Sequence, residues 1–241
     1  MIYVIANRRG GSGKTTTAHA LANIAKNALL IDLDGQGNLT FDAAGAAGPG
    51  SFEVLTGKAG ISEAIQKREN GPDLLPGSDA LAAADLMIKS PFILRDVLAP
   101  VRKGYDNVFI DTPPALGILL MNALAVADGV IIAGKPEIHS FHGALRIRDY
   151  LSTLKEATGS APKLCAYVVT EYKARTILSR DMKANFDDLA KRDAVPVYVV
   201  PECNAVREAQ ASQMDIMHYA PKSAAARAYN EIFDLICYSI V

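Results

Sequence analysis

The sequence lacks the features that mark several common classes of protein. Its three cysteines, Cys165, Cys203 and Cys237, are far apart and form no C-x-x-C pair, so they provide neither a zinc spacing nor a disulfide framework. We interpret them as buried thiols in a reducing cytosol. No apolar run approaches the ~20 residues needed to cross a bilayer, and Met1 leads directly into a strand-like run rather than a signal peptide. A cytoplasmic location is therefore expected.

The chain also lacks an excess of charge of either sign. It has 25 lysines and arginines against 26 acidic residues, for a net charge of −1. No global basic field indicates a nucleic-acid partner, and any DNA contact would need a local patch, enlarged by dimerisation. Half of the 241 residues are hydrophobic, which suffices for a substantial core. With no internal repeat and no low-complexity segment, we expect one domain over residues 1–241.

Short apolar runs rich in β-branched residues alternate with longer segments of helical spacing. Several runs are apolar throughout, which is typical of parallel strands covered on both faces. The alternation predicts an α/β fold, a doubly wound and mostly parallel sheet with helices on both faces and ligands at the carboxyl ends of the strands. The loop-like stretch GAAGPGS at 45–51 starts an excursion before the chain returns to the sheet. Predicted strands are 2–6, 28–32, 107–111, 130–134, 164–170 and 195–200, and predicted helices include 14–27, 116–127, 140–158 and 176–191.

The segment IANRRGGSGKTTT, from Ile5 to Thr17, has the composition of a phosphate-binding loop between a predicted strand and a predicted helix. Its glycines let successive backbone N–H groups point at an anion near the helix N-terminus. A lysine there reaches the β- and γ-phosphates, and a threonine hydroxyl ligates Mg²⁺. The usual pattern G-x-x-x-x-G-K-[ST] has glycine where this chain has Arg8. The predicted nucleotide-binding residues are Gly10, Gly11, Ser12, Gly13, Lys14, Thr15 and Thr16, with Thr15 as the Mg²⁺ ligand.

Carboxylates stand at the ends of two other predicted strands. In YDNVFIDTPPALG, Asp111 ends an apolar run, and an acid at such a position holds Mg²⁺ through water in P-loop enzymes. In LLIDLDGQGNLT, the strand ends on Asp32 and Asp34. Carboxylates beside a triphosphate would repel it unless Mg²⁺ or an attacking water required them. We therefore interpret this second strand end as the place where hydrolytic water is positioned.

These three motifs together resemble those of the ParA/MinD group of P-loop ATPases, and more specifically those of a small ParA-type, Soj-like partition ATPase. The deviant Walker A motif of that group reads K-G-G-x-x-K-[TS], and this chain has R-G-G-S-G-K-T at 9–15. The next motif typically reads D-x-D-P-Q-G-N, here D-L-D-G-Q-G-N at 32–38, and I-D-T-P-P-A-L-G is matched at 110–117. Further likeness at 74–86, and looser likeness at 175–180 and 200–210, extends the resemblance over nearly the whole chain.

The resemblance implies a nucleotide-dependent switch that uses ATP and Mg²⁺. ATP is sandwiched between two protomers of a homodimer, which binds DNA without sequence preference. A ParB-like or other adaptor protein stimulates slow hydrolysis, and the resulting gradient positions a plasmid, a chromosome or a protein organelle. Carried over to this chain, Lys14 grips the nucleotide, Asp34 is the carboxylate tied to hydrolysis, Asp111 is the Walker B acid and Pro201 lies near the adenine.

Two residues depart from the pattern of the group. The lysine that reaches the partner's phosphates is Arg9 here, and the proline of D-P-Q-G-N is Gly35. A guanidinium is a broad planar fork and an ammonium a compact point charge, so the exchange is not conservative. Arg9 either bridges the partner's phosphate oxygens as an arginine finger does, which we favour, or no longer enters that site. Arg8 is interpreted as a surface residue, because the group keeps no glycine there.

DNA binding would depend on a basic face formed by residues late in the chain. Composition alone indicates that these residues are ordinary solvated charges. MinD-like membrane attachment is the alternative, but the tail AYNEIFDLICYSIV, at 228–241, carries acids and no lysine or arginine, so we expect a packed terminal helix. The candidate DNA contacts are Arg175, Arg180, Arg207 and Lys222.

Two further hypotheses compete with a partition ATPase. One is a scaffold of the same fold in which Arg9 and Gly35 have abolished turnover. The other is a metabolic relative, either an iron–sulfur reductase, which the missing cluster cysteines oppose, or a ligase of the dethiobiotin synthetase kind, which D-G-Q-G-N and I-D-T-P-P oppose. Intact Asp34 and Asp111 favour the active ATPase.

Overall fold

The computed structural model describes the backbone of residues 1–238 and the side chains of residues 1–236. Seven parallel strands form one sheet. They are β1 (Ile2–Ala6), β2 (Ala28–Asp32), β3 (Asp73–Leu75), β4 (Asn107–Asp111), β5 (Gly129–Gly134), β6 (Lys163–Tyr172) and β7 (Val197–Pro201). Their order across the sheet is β3-β2-β4-β1-β5-β6-β7. The direction of winding reverses beside β1, and a doubly wound sheet binds ligands at the strand ends near such a switch point.

Helices connect the strands and cover both faces of the sheet, which confirms the predicted fold class. Two short 3₁₀ turns, Asp79–Ala83 and Arg102–Gly104, interrupt the longer connections. The α-helices are α1 (Lys14–Ile24), α2 (Asn38–Asp42), α3 (Ser51–Leu55), α4 (Ile61–Ala64), α5 (Ala84–Met87), α6 (Ile93–Leu98), α7 (Ile118–Val126), α8 (Ile138–Thr158), α9 (Ile177–Asp193), α10 (Asn204–Ala211), α11 (Ile216–Tyr219) and α12 (Ala224–Tyr238).

Strand β1 shows why the strands are apolar throughout. Ile2, Val4 and Ala6 point into one core, which α7, α8 and α9 cover. Tyr3 and Ile5 point into the other core, which α1 and α12 cover. Because side chains alternate between the two faces and both faces are covered, every position of the strand is buried.

All six predicted strands form, with ends within two residues of the expected ones. The sequence pattern missed β3, because Asp73–Leu75 is too short to show a period and forms by pairing with β2. The loop at 45–51 leads into α3 as part of the excursion from β2 to β4. Cys165 and Cys203 were expected to be buried but are only partly so, and the side chain of Cys237 lies outside the described residues.

The terminal helix packs on the body of the protein, as expected from its acidic and apolar composition. Tyr229, Ile232 and Ile236 of α12 are buried against the core under α1. The Tyr229 hydroxyl lies 3.3 Å from Thr17 Oγ1. Residues 239–241 of the predicted tail helix lie outside the described residues. No helix in the described part of the chain is long and apolar enough to cross a membrane.

The burial of His19 on α1 predicts that the stability of the protein depends on pH. Burial lowers its pKa to about 4; Asp215 opposes this shift, and Arg68 and His218 add to it. An unfolded histidine takes up its proton near pH 6.5, so protonation favours the unfolded chain as the pH falls from 6.5 through 4. We predict that the wild-type protein loses about 2 to 3 kcal/mol more free energy of unfolding than His19→Gln between pH 7.5 and 4, in urea titrations. Parallel pH profiles of the two proteins would contradict this.

Candidate functional site

The loop between β1 and α1 forms a glycine-rich turn at the carboxyl edge of the sheet. Gly11 and Gly13 have φ of 70° and 88°, a left-handed backbone that other residues adopt only at a cost. A Cβ on Gly13 would lie 2.7 Å from the Thr170 side chain, whereas a Cβ on Gly10 would meet nothing within 4 Å. The turn leads into α1, which begins at Lys14 without a side-chain cap hydrogen bond from Gly13, and the first residues of this helix line the cavity described below. The first N–H groups of a helix have no partner within the helix.

Three residues that sequence reasoning did not single out hold this loop in place. Buried Asn7 donates to Ala133 O at 2.7 Å and to Ser140 O at 3.1 Å, and accepts from the Arg9 backbone N at 2.9 Å. The Thr170 hydroxyl donates to Ser12 O at 3.0 Å. A Cβ on Gly143 would lie 2.1 Å from Asn7 Oδ1, so only glycine lets α8 approach the loop. Thr170 and Gly143 are far from the loop in sequence, and Asn7 lies beside it but bonds to the distant Ala133 and Ser140, so no local pattern shows these contacts.

Lys14 is buried at the base of the loop. Its Nζ donates to Arg9 O at 3.4 Å. Burial lowers the pKa of Lys14, and the neighbouring carboxylates Asp111 and Asp34 oppose that shift. Among the described residues the ammonium has one hydrogen bond, a long one to a neutral acceptor, so it is available to an anion that enters the cavity.

Asp111 and Thr15 meet across the sheet edge. The Thr15 hydroxyl donates to Asp111 Oδ2 at 2.6 Å, and the Thr112 backbone N donates to Oδ1 at 3.0 Å. Burial raises the pKa of Asp111 to about 7; Asp32 adds to this shift and Lys14 opposes it. A hydroxyl and a carboxylate in contact are hard oxygen donors, the type that Mg²⁺ prefers.

The two carboxylates that follow β2 occupy different environments. Asp32 is fully buried and accepts from the Thr40 hydroxyl at 2.7 Å, from the Thr40 backbone N and from the Asp34 backbone N. Burial raises its pKa to about 6, against those hydrogen bonds. Asp32 therefore fastens the loop after β2, whereas half-buried Asp34 lines the cavity. The register explains the crowding, because Asp32 pairs with Asp111 in the sheet.

One cavity of about 590 Å³ brings together the predicted loop residues and Asp34, whereas Arg9, Asp111 and Pro201 do not line it. The loop residues from Gly10 to Thr16 and Asp34 line it, and so do Lys135 and Glu171, which sequence reasoning missed. A cavity of about 100 Å³ adjoins it, shares Gly13, Thr16, Glu171 and Gln210 with it, and contains Pro201. A volume of 300 to 1,000 Å³ is usual for a cofactor site, so the larger cavity can hold a nucleotide.

The two arginines before the glycines have different surroundings. Arg9 is exposed, does not line its own chain's cavity, and its side chain has no hydrogen bond or ion pair among the described residues. Arg8, interpreted as a surface residue, is half-buried, and its Nε is buried without a hydrogen-bond partner in the described structure.

The candidate DNA contacts are all exposed but differ in their neighbours. Arg175 lies between β6 and α9, and Lys222 lies in the turn between α11 and α12. Arg180 on α9 donates to Ala174 O. Arg207 lines the smaller cavity, with Glu171 at 3.9 Å and Glu202 at 3.6 Å. Its charge is therefore partly balanced by acids.

Comparisons with known proteins agree with this geometry. A family described as an AAA domain matches residues 1–164. The chain is 33% identical over 235 residues to the chromosome-partitioning ATPase Soj of Thermus thermophilus, covering 95% of this chain and 92% of the relative. A structure of cobyrinic acid a,c-diamide synthase from Mycobacterium smegmatis, with a bound ATP analogue and magnesium, is 31% identical with a TM-score of 0.80, covering 97% and 92% of the two chains. The septum site-determining protein MinD from Pyrococcus horikoshii, at 23% identity and a TM-score of 0.79, shares the fold over 97% and 94%.

The glycine geometry gives a stability prediction with an internal control. Gly13→Ala should lower the free energy of unfolding by about 2 to 3 kcal/mol, since the residue keeps a left-handed φ and displaces the Thr170 side chain from Ser12. Gly10→Ala should change it by less than about 0.5 kcal/mol, because its Cβ meets open space. Urea unfolding of the ligand-free proteins measures both. Equal stabilities for the two variants would contradict the geometry.

Proposed function

Because the chain belongs to the ParA/MinD family of P-loop ATPases, we propose that it is a partition-type ATPase. In this proposal it binds ATP with Mg²⁺ and forms an ATP-sandwich homodimer that binds DNA without sequence preference. The dimer hydrolyses ATP slowly, and an adaptor protein stimulates this hydrolysis. The cargo is a plasmid, a chromosome or a protein organelle. The observation that carries the proposal is the single cavity lined by the glycine-rich loop, Thr15 and Asp34, with Asp111 bonded to Thr15 beneath.

The nucleotide phosphates would lie on the backbone N–H groups at the start of α1, with Lys14 beside them. Mg²⁺, when bound, neutralises charge on the phosphate oxygens. Thr15 would hold the ion directly and Asp111 through water, and few protein ligands suffice because Mg²⁺ keeps waters and phosphate oxygens in its shell. The synthase bound to an ATP analogue and magnesium supports this choice of ligand. Pro201 in the adjoining cavity is the candidate adenine contact.

Asp34 would orient the attacking water. Its carboxylate accepts from the Gln36 backbone N at 3.1 Å, so its position in the cavity is constrained. Asp32 cannot share the role, since both its oxygens already accept hydrogen bonds within the loop. One acid thus fixes the loop and the other faces the phosphates, which supports hydrolysis by positioned water.

Arg9 would complete the site of the other protomer, in the role of the lysine of the deviant Walker A motif. An exposed guanidinium outside its own cavity is free to reach a second copy of the chain. The planar fork matches two phosphate oxygens at once, as in an arginine finger. The dimer would form only with nucleotide present, because the phosphates neutralise the arginines that face each other.

DNA would contact Arg175, Arg180, Arg207 and Lys222 on the ATP-bound dimer, and its affinity should fall steeply with salt as counterions are released. The protein would then be cytoplasmic and associated with the nucleoid. The relative Soj is a chromosome-partitioning ATPase, which supports this role. A ParB-like adaptor would stimulate hydrolysis, as the resemblance to the family implies.

The likeness to the diamide synthase favours a second candidate function, an ATP-dependent ligase. A ligase spends ATP on an acceptor carboxylate, so it turns over little ATP without that substrate. A partition ATPase hydrolyses ATP slowly with DNA alone and changes its oligomeric state on binding ATP. The rate of ATP turnover and the molar mass of the protein, both measured without any acceptor, distinguish the ligase from the partition ATPase. The same measurements identify a scaffold that binds ATP without hydrolysing it.

The trans role of Arg9 and the hydrolytic role of Asp34 predict opposite effects on the dimer. Arg9→Ala should bind ATP, remain monomeric and lose on the order of 10³-fold in turnover, because the cation that spans the interface is absent. Asp34→Ala should accumulate as an ATP-bound dimer with turnover abolished. Light scattering coupled to size exclusion measures the oligomeric state of each variant, and a phosphate-release assay measures its turnover, each with and without DNA.

Arg9→Lys is the matched control, since it keeps the positive charge and restores the residue usual in the group. It should dimerise with ATP. Full ATP-dependent dimerisation of Arg9→Ala would overturn the trans contact, and undetectable wild-type hydrolysis with DNA and a cognate adaptor would favour the scaffold.

A further inference from the structure

A chain of ion pairs borders both cavities. Lys135 Nζ lies 2.8 Å from Glu171 Oε1, and Glu171 Oε2 lies 3.9 Å from an Arg207 nitrogen. Arg207 also lies 3.6 Å from Glu202, whose Oε1 is 2.8 Å from Lys173 Nζ. Of the two lysines, Lys135 lines the larger cavity with the glycine-rich loop, and Lys173 is not among the residues that line either cavity.

Glu171 is held in an unusual backbone conformation. It has a φ of 50°, where the pairing of β6 with β7 shifts register. A non-glycine residue with a left-handed backbone is strained, and such strain concentrates at functional sites. The strained residue directs its carboxylate at Lys135 on the border of the proposed phosphate site, where a bare carboxylate would repel a polyphosphate.

We propose that Lys135 is a further phosphate-binding residue, whose ammonium Glu171 holds until a nucleotide polyphosphate enters the cavity. Both partners of the pair are partly exposed, with side-chain exposures of 24% and 39%. An ion pair in such a position stabilises the protein little, so the ammonium can exchange its carboxylate for phosphate oxygens. When it does, Glu171 remains near Arg207, and the negative charge left beside the nucleotide stays partly compensated.

The proposal gives the two partners of one ion pair opposite effects on ATP affinity. Loss of Lys135 removes a cation from the phosphates. Loss of the Glu171 charge removes a repulsive carboxylate and releases the ammonium. A purely structural ion pair would instead give both variants the same effect, because either substitution breaks the same contact. The inference depends on the proposed function, since it requires that the wild-type chain bind ATP.

Calorimetric titration of the full chain with Mg²⁺ and a non-hydrolysable ATP analogue tests the proposal. Lys135→Met should raise Kd about tenfold, the loss expected for a charge-assisted hydrogen bond to phosphate. Glu171→Gln should lower Kd about twofold to fivefold as the repulsion disappears. Lys173→Met breaks an ion pair of the same length but removes a lysine that lines neither cavity, so it should leave Kd within about twofold. Lys135→Arg should retain most of the wild-type affinity, and urea unfolding verifies that each variant folds.

Three outcomes would overturn the inference without overturning the proposed function. If Glu171→Gln lowers the affinity for the analogue as Lys135→Met does, the ion pair has a structural role. If Lys135→Met and Lys173→Met lose affinity for the analogue equally, the effect comes from the net charge of the protein and not from a contact of Lys135. Unchanged affinity in Lys135→Met would remove Lys135 from the site. Failure of the wild-type chain to bind the analogue would overturn the proposed function and this inference together, whereas wild-type binding with any of the other outcomes would overturn the inference alone.

Discussion

The carboxylate of Asp111 is fully buried at the carboxyl edge of a parallel sheet, in contact with Thr15 and beside Asp32 and Lys14. This arrangement follows from the register, which pairs Asp32 with Asp111 on neighbouring strands and sets β1, with its loop, on the other side of β4. Negative charge is thereby concentrated where water is scarce, and the raised pKa of Asp111 expresses that cost. A divalent cation bound there, as proposed, would relieve that cost.

The order of the strands determines which residues take part. Because β1 lies in the middle of the sheet, its loop is flanked by the ends of β4 and β5. The Asp111 side chain of β4 and the backbone carbonyls of Ala133 on β5 and Ser140 on α8 reach it. Asn7 and Gly143 make that contact possible, the first by its hydrogen bonds and the second by having no Cβ. In the proposed function this positioning of the loop would favour binding, since preorganised N–H groups lose little freedom when an anion arrives.

Much of the fold and part of the candidate site can be predicted from the sequence. The stretches 28–31 and 108–110 are apolar throughout and each is followed by an aspartate, so local composition is enough to identify β2 and β4. Lys14 and Asp111 stand in short patterns with a fixed spacing from their strands. Strand β3 and the Lys135–Glu171 ion pair are different, because they arise from contacts between distant segments that no local pattern encodes. The different environments of Asp32 and Asp34 likewise depend on Thr40, whose side chain reaches back across the loop.

The central claim is that this edge of the sheet binds ATP with Mg²⁺ and thereby joins two copies of the chain. A crystal structure of the protein with a non-hydrolysable ATP analogue and Mg²⁺ tests it most directly. We expect two protomers facing each other, with Mg²⁺ at Thr15, the phosphates on the loop from Gly10 to Thr16, and Arg9 of the partner subunit within hydrogen-bond distance of a phosphate oxygen. A nucleotide-bound monomer, or a dimer in which Arg9 faces solvent, would contradict it.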